Sequence, residues 1–316
     1  MEEHTMQVAT RDAYGQALKE LGEQYPEVVV LDADLSKSTK TVDFARAFPD
    51  RFFDMGIAEQ NMMAVAAGLA ASGKVVFAST FAIFATGRAF EQIRNSAAQA
   101  QLDVKVCATH AGITVGEDGS SHQSVEDIAL MRVIPNMKVV VPADGPSTAW
   151  AVRAIYHEPG PFYLRLGRPK VPVVYDGVAG LKIGRAVKLR EGRDVGILAC
   201  GIMVSESLQA ASMLAAMGIE ATVLDVHTIK PLDRELILET ARATGCLVTA
   251  EEHSIIGGLG GAVSELTASE YPVPVVRVGI RDLFGQSGQP RELMEYYGLT
   301  AQEIARAAQI SMSQKG

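Results

Sequence analysis

Short β-branched runs, apolar on both faces, alternate with segments of helical period along residues 1–170. Val28–Leu31, Lys74–Ser79, Val104–Thr109, Lys138–Val141 and Phe162–Leu166 are predicted strands, and their two-faced apolarity is that of parallel strands covered on both sides. Between them the pattern predicts helices over Arg11–Gln24, Ala58–Ala71, Phe84–Gln101, Val125–Val133 and Ser147–His157. Strands alternating with helices of this length imply βαβ crossovers. The rhythm stops between Gly167 and Gly184, where Pro169 and Pro172 sit among glycines. It resumes with strands at Val195–Ala199, Ala221–Val226, Cys246–Ala250 and Val275–Val278. The helices between them are predicted over Ser205–Met217, Asp233–Thr244 and Gly261–Ser269. A last helix opens at Thr300 with Glu303 three residues on, a capping-box pattern. The fold class is therefore α/β: two consecutive three-layer domains with mostly parallel sheets, at 1–170 and 189–316, joined by a linker at 171–188.

Composition narrows the class. Hydrophobic residues make up 48% and charged residues 21% of the 316, which excludes a wholly disordered chain. Lys and Arg total 29 against 37 Asp and Glu, a net charge of −8. That field attracts neither nucleic acid nor an anionic membrane, although a local basic pocket for a small anion remains compatible with it. Cys107, Cys200 and Cys246 are odd in number and far apart, which argues against a disulfide framework or a zinc site and for a reducing compartment. The start, MEEHT, lacks the charged and apolar regions of a signal peptide, and the apolar stretch Met62–Gly87 is broken by Lys74. The expected location is cytoplasmic.

Five places could carry chemistry. Met55-Gly56-Ile57-Ala58-Glu59-Gln60-Asn61 runs from a glycine turn into an apolar helix, with Glu59 in the first turn. An acidic residue there suits the helix dipole in any protein, but apolar surroundings also raise a carboxyl's pKa toward proton exchange. Phe81 and Phe84 follow a strand at i and i+3; such a pair is most often core, yet strand ends are where α/β sheets place ligands. The loop from His110 to Gln123 carries His110, Glu117, Asp118 and His122 among glycines, with no metal-ligand spacing. Neutral His beside Asp fits hydrogen bonding and proton transfer to a hydroxyl-rich ligand. Arg11 and Arg165 are ion-pair or phosphate-gripping candidates. Glu251 through Gly261, EEHSIIGGLGG, is either a tight strand-to-helix turn or an anion site at a helix N-terminus.

In order along the chain, ATRDAYG, DADLSKST, MGIAEQN, ASTFAIF, ATHAGITVGEDGSSHQSVED, VVVPADG, YLRLGRP, HTIKPLD and EEHSIIGGLGG resemble the C-terminal half of a transketolase. The resemblance implies a pyrimidine-binding domain at 1–170 and a transketolase C-terminal domain at 189–316. It also implies a thiamine-diphosphate enzyme that moves a two-carbon ketol unit between sugar phosphates. By that resemblance Glu59 hydrogen-bonds the aminopyrimidine ring nitrogen and favours the imino form, while Phe81 and Phe84 pack on the ring. Asp118 and His122 bind sugar hydroxyls, and Arg11, Ser38, His110 and Arg165 hold the substrate phosphate. Glu59, His110 and His122 are the catalytic candidates, and no metal ligand is assigned to this chain.

The sequence departs from the family pattern in three ways. Gly87 stands where many members carry a third aromatic. Ala58 and Gln60 flank Glu59, as in deoxyxylulose-phosphate synthases. No Gly-Asp-Gly motif for diphosphate and Mg2+ occurs in the chain. The resemblance therefore implies one subunit of a split transketolase, whose N-terminal partner shares the cofactor and holds the metal in an α2β2 heterotetramer. The rival readings are the β subunit of a 2-oxo-acid dehydrogenase and a non-catalytic scaffolding subunit of the same fold.

Overall fold

The computed structural model describes residues 6–315, so the MEEHT start lies outside the described residues. A seven-stranded sheet runs in the order Thr228–Lys230, Lys138–Val140, Phe162–Arg165, Val104–Thr109, Val75–Phe81, Val28–Asp32, Phe52–Asp54. A five-stranded sheet runs Val275–Ile280, Leu247–Ser254, Val195–Ala199, Ala221–Asp225, Val187–Arg190. Within them only two pairings are antiparallel, Thr228–Lys230 on Lys138–Val140 and Val187–Arg190 on Ala221–Asp225. The α/β class with mostly parallel sheets is thus the observed one.

The strands predicted from unbroken apolar runs are the buried centres of both sheets: every residue of Val28–Asp32, Val104–Thr109, Val195–Ala199 and Ala221–Asp225 is buried. Helix starts follow local chemistry. Asp144 and Ser147 form a reciprocal capping box ahead of Gly145–His157, and the Asp233 carboxylate accepts from Leu236 N ahead of Arg234–Thr244. Thr300 accepts from Glu303 N at 3.4 Å, the forward half of the box read from the sequence. Helix Glu59–Ala71 buries Met62, Met63, Ala66, Ala67 and Ala70 against the large sheet. Each methionine contributes about 1.5–3 kcal/mol by leaving water.

Three elements differ from the sequence pattern. The single helix over Phe84–Gln101 is instead a π turn at Phe84–Arg88, an α turn at Phe90–Gln92 and a second π stretch at Ile93–Ala98. Thr86 Oγ1 donates back to Ala82 O at 2.8 Å, a bond that loosens helical turns. Between the two sheets, Lys170–Pro172 pairs antiparallel with Gln7–Ala9, tying the end of the first domain to its beginning. Thr228–Lys230 leaves the second domain to join the edge of the first domain's sheet, so the two domains share hydrogen bonds as well as packing.

Candidate active site

Glu59 is the first residue of its helix and only 4% exposed. The positive end of the helix favours its carboxylate. A partner sits on it: Arg88 Nη1 donates to Oε1 at 3.1 Å and to Oε2 at 3.4 Å. Arg88 comes from the π turn that Phe84 opens, and its guanidinium carbon lies 4.1 Å from the centre of the Phe84 ring. Its backbone carbonyl accepts from Gln60 Nε2 at 3.0 Å, which fixes the turn to the start of the Glu59 helix.

Phe81 closes the strand Val75–Phe81, and its ring stacks on Phe84 at 5.8 Å between centroids and 15° between planes. On Phe81 lies the His110 ring, at 3.8 Å and 22°. His122 presents its edge to Phe84 at 5.4 Å. Glu59, Phe81, Phe84, His110 and His122, separated by up to 63 residues in sequence, therefore form one aromatic-walled site beside a buried carboxylate.

His110 is buried and held at a positive φ of 55°. Arg11 Nη1 contacts His110 Nε2 at 3.3 Å, and a guanidinium only donates, so Nε2 accepts. The imidazole proton then resides on Nδ1 and reaches Thr109 Oγ1 at 2.9 Å. Burial, with Arg11, Arg168 and His122 adding repulsion, pulls the His110 pKa down to about 3. His110 is accordingly neutral at any ordinary pH, with both nitrogens engaged.

Arg11 also donates from Nη1 to Ser38 O at 3.1 Å, so Ser38 contributes its carbonyl rather than its hydroxyl. Burial lowers the Arg11 pKa, Asp12 opposes this, and Arg168 lowers it further. Arg11 and Arg168 line a cavity of about 330 Å³ together with Thr114, Glu117, Lys170 and Gln289. Arg168 is anchored by Glu117 at 3.1 Å and by the Val115 carbonyl. Two arginines and a lysine thus line one cavity with Asp12 and Glu117, a local concentration of positive side chains in an acidic chain.

Arg165 is not part of it. Its side chain is 6% exposed, and its Nε and Nη2 donate to Asp127 at 2.7 and 3.1 Å, with a further bond from Nη2 to Glu252 O at 2.9 Å. The phosphate-gripping role read for Arg165 is corrected: its Nε and Nη2 are committed to buried Asp127 and the Glu252 carbonyl, and Arg168, three residues on, is the arginine that lines the cavity with Arg11. A sequence signal was available. Arg165 lies within a strand covered on both faces, whereas Arg168 follows the strand's C-terminal end, the edge at which parallel sheets place ligands. Arg88 was also missed, and its Glu59 contact spans 29 residues with no local mark.

The glycine-rich loop is shaped from below. Gly116 and Gly119 have φ of +86° and +77°, and a Cβ on Gly119 would meet Ser287 Oγ at 2.6 Å. Gln123 Nε2 donates to Ile113 O, Gly116 O and, across the domains, Gln286 O at 2.9 Å. Asp118 is exposed and His122 half-buried on this frame, with Ser121 Oγ 2.9 Å from His122 Nδ1. The EEHSIIGGLGG segment is the tight turn and not an anion site: Glu251 itself accepts from the helix amides of Leu259 and Gly260, each at 2.7 Å.

Residues 6–173 match the model of the transketolase pyrimidine-binding domain, and residues 184–304 that of the transketolase C-terminal domain. A solved structure described as a split gene transketolase, inactive β4 tetramer, is 56% identical, with a TM-score of 0.90, covering 98% of this chain and 99% of that one. The 6-deoxy-6-sulfo-D-fructose transketolase subunit SqwH of Clostridium sp. (strain MSTE9) is 45% identical over 98% of this chain and 94% of its own length. Human transketolase is 40% identical over 95% of this chain, which corresponds to 48% of the human protein.

Proposed function

Because the chain belongs to the transketolase family, with the family's pyrimidine-binding domain followed by its C-terminal domain, we propose that it is one subunit of a thiamine-diphosphate-dependent transketolase. The reaction is transfer of a two-carbon ketol unit between sugar phosphates. The observation that carries this reading is the buried Glu59 carboxylate beside the stacked Phe81–Phe84 pair: an aromatic heterocycle with a basic ring nitrogen suits both surfaces at once. When bound, thiamine diphosphate supplies the electron sink for breaking the carbon–carbon bond next to a ketose carbonyl. Glu59 would share a proton with the ring nitrogen in a hydrogen bond, and Phe81 and Phe84 would pack on the ring.

Arg11 and Arg168 grip the sugar phosphate, with His110 and the Ser38 carbonyl holding Arg11 in place. His110 is a binding and orienting group, because a general acid–base works best with a pKa near the operating pH and its own lies at about 3. His122 and Asp118 meet the sugar hydroxyls, with His122 as the group that exchanges protons. Diphosphate and Mg2+ fall to an N-terminal partner subunit, since this chain carries no Gly-Asp-Gly motif. The working assembly is an α2β2 heterotetramer in the cytoplasm, a reducing compartment consistent with three buried free cysteines.

The test is ketol transfer from xylulose 5-phosphate to ribose 5-phosphate with thiamine diphosphate and Mg2+, using the chain alone and mixed with a diphosphate-binding partner. A donor related to 6-deoxy-6-sulfo-D-fructose belongs in the panel because a 45%-identical relative is named for it. Activity should appear only in the mixture, and Glu59→Gln should lower it by about 10²–10⁴-fold. Turnover by the lone chain, or an unchanged rate for Glu59→Gln, would refute the proposal.

A further inference from the structure

Glu59 and Phe84 are the two groups that a pyrimidine ring must reach, and one side chain already reaches both. The Arg88 guanidinium lies 4.1 Å from the Phe84 ring centre while Nη1 stays within 3.1 and 3.4 Å of the two Glu59 oxygens. A guanidinium is flat, stacks on aromatic faces and donates N–H bonds in its own plane. It thus makes, from inside the chain, the same two kinds of contact as a stacked aminopyrimidine.

We infer that Arg88 is an internal competitor for the pyrimidine site: it pairs with Glu59 and covers Phe84 until the ring displaces it. This rests on the thiamine-diphosphate reading above. Three further observations fit a group that can leave. The side chain is 50% exposed, whereas Glu59 is 4% exposed. The segment bearing it is a π turn, a geometry that recurs at functional sites. Its neighbour Gly87 carries no side chain, and a Cβ there would meet only Ile83 Cδ1, at 3.9 Å, so the turn is loosely packed beside the arginine.

The consequence is a contest of sign. If Arg88 were a supporting contact for an anionic cofactor, removing its positive charge would weaken binding. As a competitor, its removal strengthens binding, because the fraction of protein competent to accept the ring rises toward one. A half-exposed ion pair holds its site only modestly, so the gain is roughly threefold to tenfold in affinity.

The experiment is calorimetric titration of thiamine diphosphate, at fixed Mg2+, into the complex of this chain with its N-terminal partner. Wild type, Arg88→Ala and Arg88→Met are compared. Both variants should bind about 3–10-fold more tightly than wild type. Thermal melts give the second readout. Without thiamine diphosphate, Arg88→Met should melt below wild type because Glu59 loses its counter-charge; at saturating thiamine diphosphate the difference should vanish. A purely structural arginine would lower both melts equally. Equal or weaker binding by both variants, with wild type binding, overturns the competitor role and leaves the cofactor assignment intact. No binding by any of the three overturns both.

Discussion

Two arginines three residues apart on one chain segment should fail in opposite ways. Replacing Arg165 with Met removes bonds of 2.7 and 3.1 Å to Asp127 and one of 2.9 Å to the Glu252 carbonyl. Asp127 is fully buried and keeps only the Tyr163 hydroxyl at 2.6 Å. Arg165 at present holds the Asp127 carboxyl below the usual range against the opposing cost of burial. Breaking one side of a buried pair costs about 3–5 kcal/mol, since the remaining charge has no compensation. At about 2–4 °C per kcal/mol for domains of this size, the melting temperature should fall by roughly 6–20 °C.

Arg168→Met is the matched control. Its side chain is 34% exposed and its salt bridge is with Glu117, itself 52% exposed, so stability should change by no more than about 1 kcal/mol. Lost instead is a charge-assisted grip on phosphate, about 1.5–3 kcal/mol, or a KM for phosphorylated sugar raised roughly 10- to 150-fold. Sugars without phosphate should show little change. Scanning calorimetry and steady-state kinetics on the reconstituted complex separate the two. An Arg165→Met protein of unchanged stability with a raised KM, paired with a kinetically silent Arg168→Met, would refute the assignment.

Gly87→Ala should stabilise the chain by about 0.4–1 kcal/mol in urea unfolding, because the position is open and its φ is not positive. Gly112→Ala should destabilise it by at least about 1–3 kcal/mol, since φ is +81° and a Cβ would fall 2.2 Å from Glu252 Oε1. Burial holds the pKa values of His110 and His227 at about 3 and about 4. Between those values and about 6.5 the unfolded chain binds more protons, so their contribution to stability falls as pH drops through that window. Urea midpoints from pH 7 to pH 5 should fall less steeply for His227→Gln than for wild type. Asp225 has the opposite sign: burial raises it to about 7, so the native state retains the proton and stability falls as pH rises from about 4 to about 7. Asp225→Asn should therefore gain on wild type at pH 8 relative to pH 5.

Elements whose cause is local were legible in the sequence. The run VVVL at 28–31 and the helix predicted over Ser147–His157 carry their causes within a few residues; the strand is observed over Val28–Asp32, and the helix begins two residues earlier, at Gly145, behind the Asp144 cap. Periodicity could not separate the π turns at Phe84–Arg88 and Ile93–Ala98 from one long helix, because an inserted residue shifts the backbone without changing which residue types are apolar. The strand Thr228–Lys230 was invisible as a member of the first sheet, since its pairing with Lys138–Val140 spans about 90 residues. In the site, Glu59, the two phenylalanines and the histidine loop could be read because each sits on a strand end or helix start. Arg168 could have been sorted by its place just past the end of Phe162–Arg165, but Arg88 could not be, because its role depends on which carboxylate is near it in space. Asp127 and Glu59 take one arginine each, and only the folded chain decides which.

The same distribution of contacts explains why a domain that supplies none of the candidate catalytic side chains is joined to this site. The glycine-rich loop carrying Asp118 and His122 has positive-φ glycines and little regular structure, so alone it would sample many conformations. The second domain removes that freedom at several points. Gln286 O accepts from Gln123, Gln289 donates to Glu117 at 3.0 Å, and Glu252 accepts from Thr114 N at 2.8 Å while its own carbonyl holds Arg165. Gly112 must lack a side chain because Glu252 presses against it. Glu117, fixed on one oxygen by Gln289, in turn anchors Arg168 through the other. The cavity lined by Arg11 and Arg168 is therefore built on a chain of contacts that begins in the second domain and ends at the Arg168 guanidinium. A site held this way is preorganised before a sugar arrives, so less ordering entropy opposes binding.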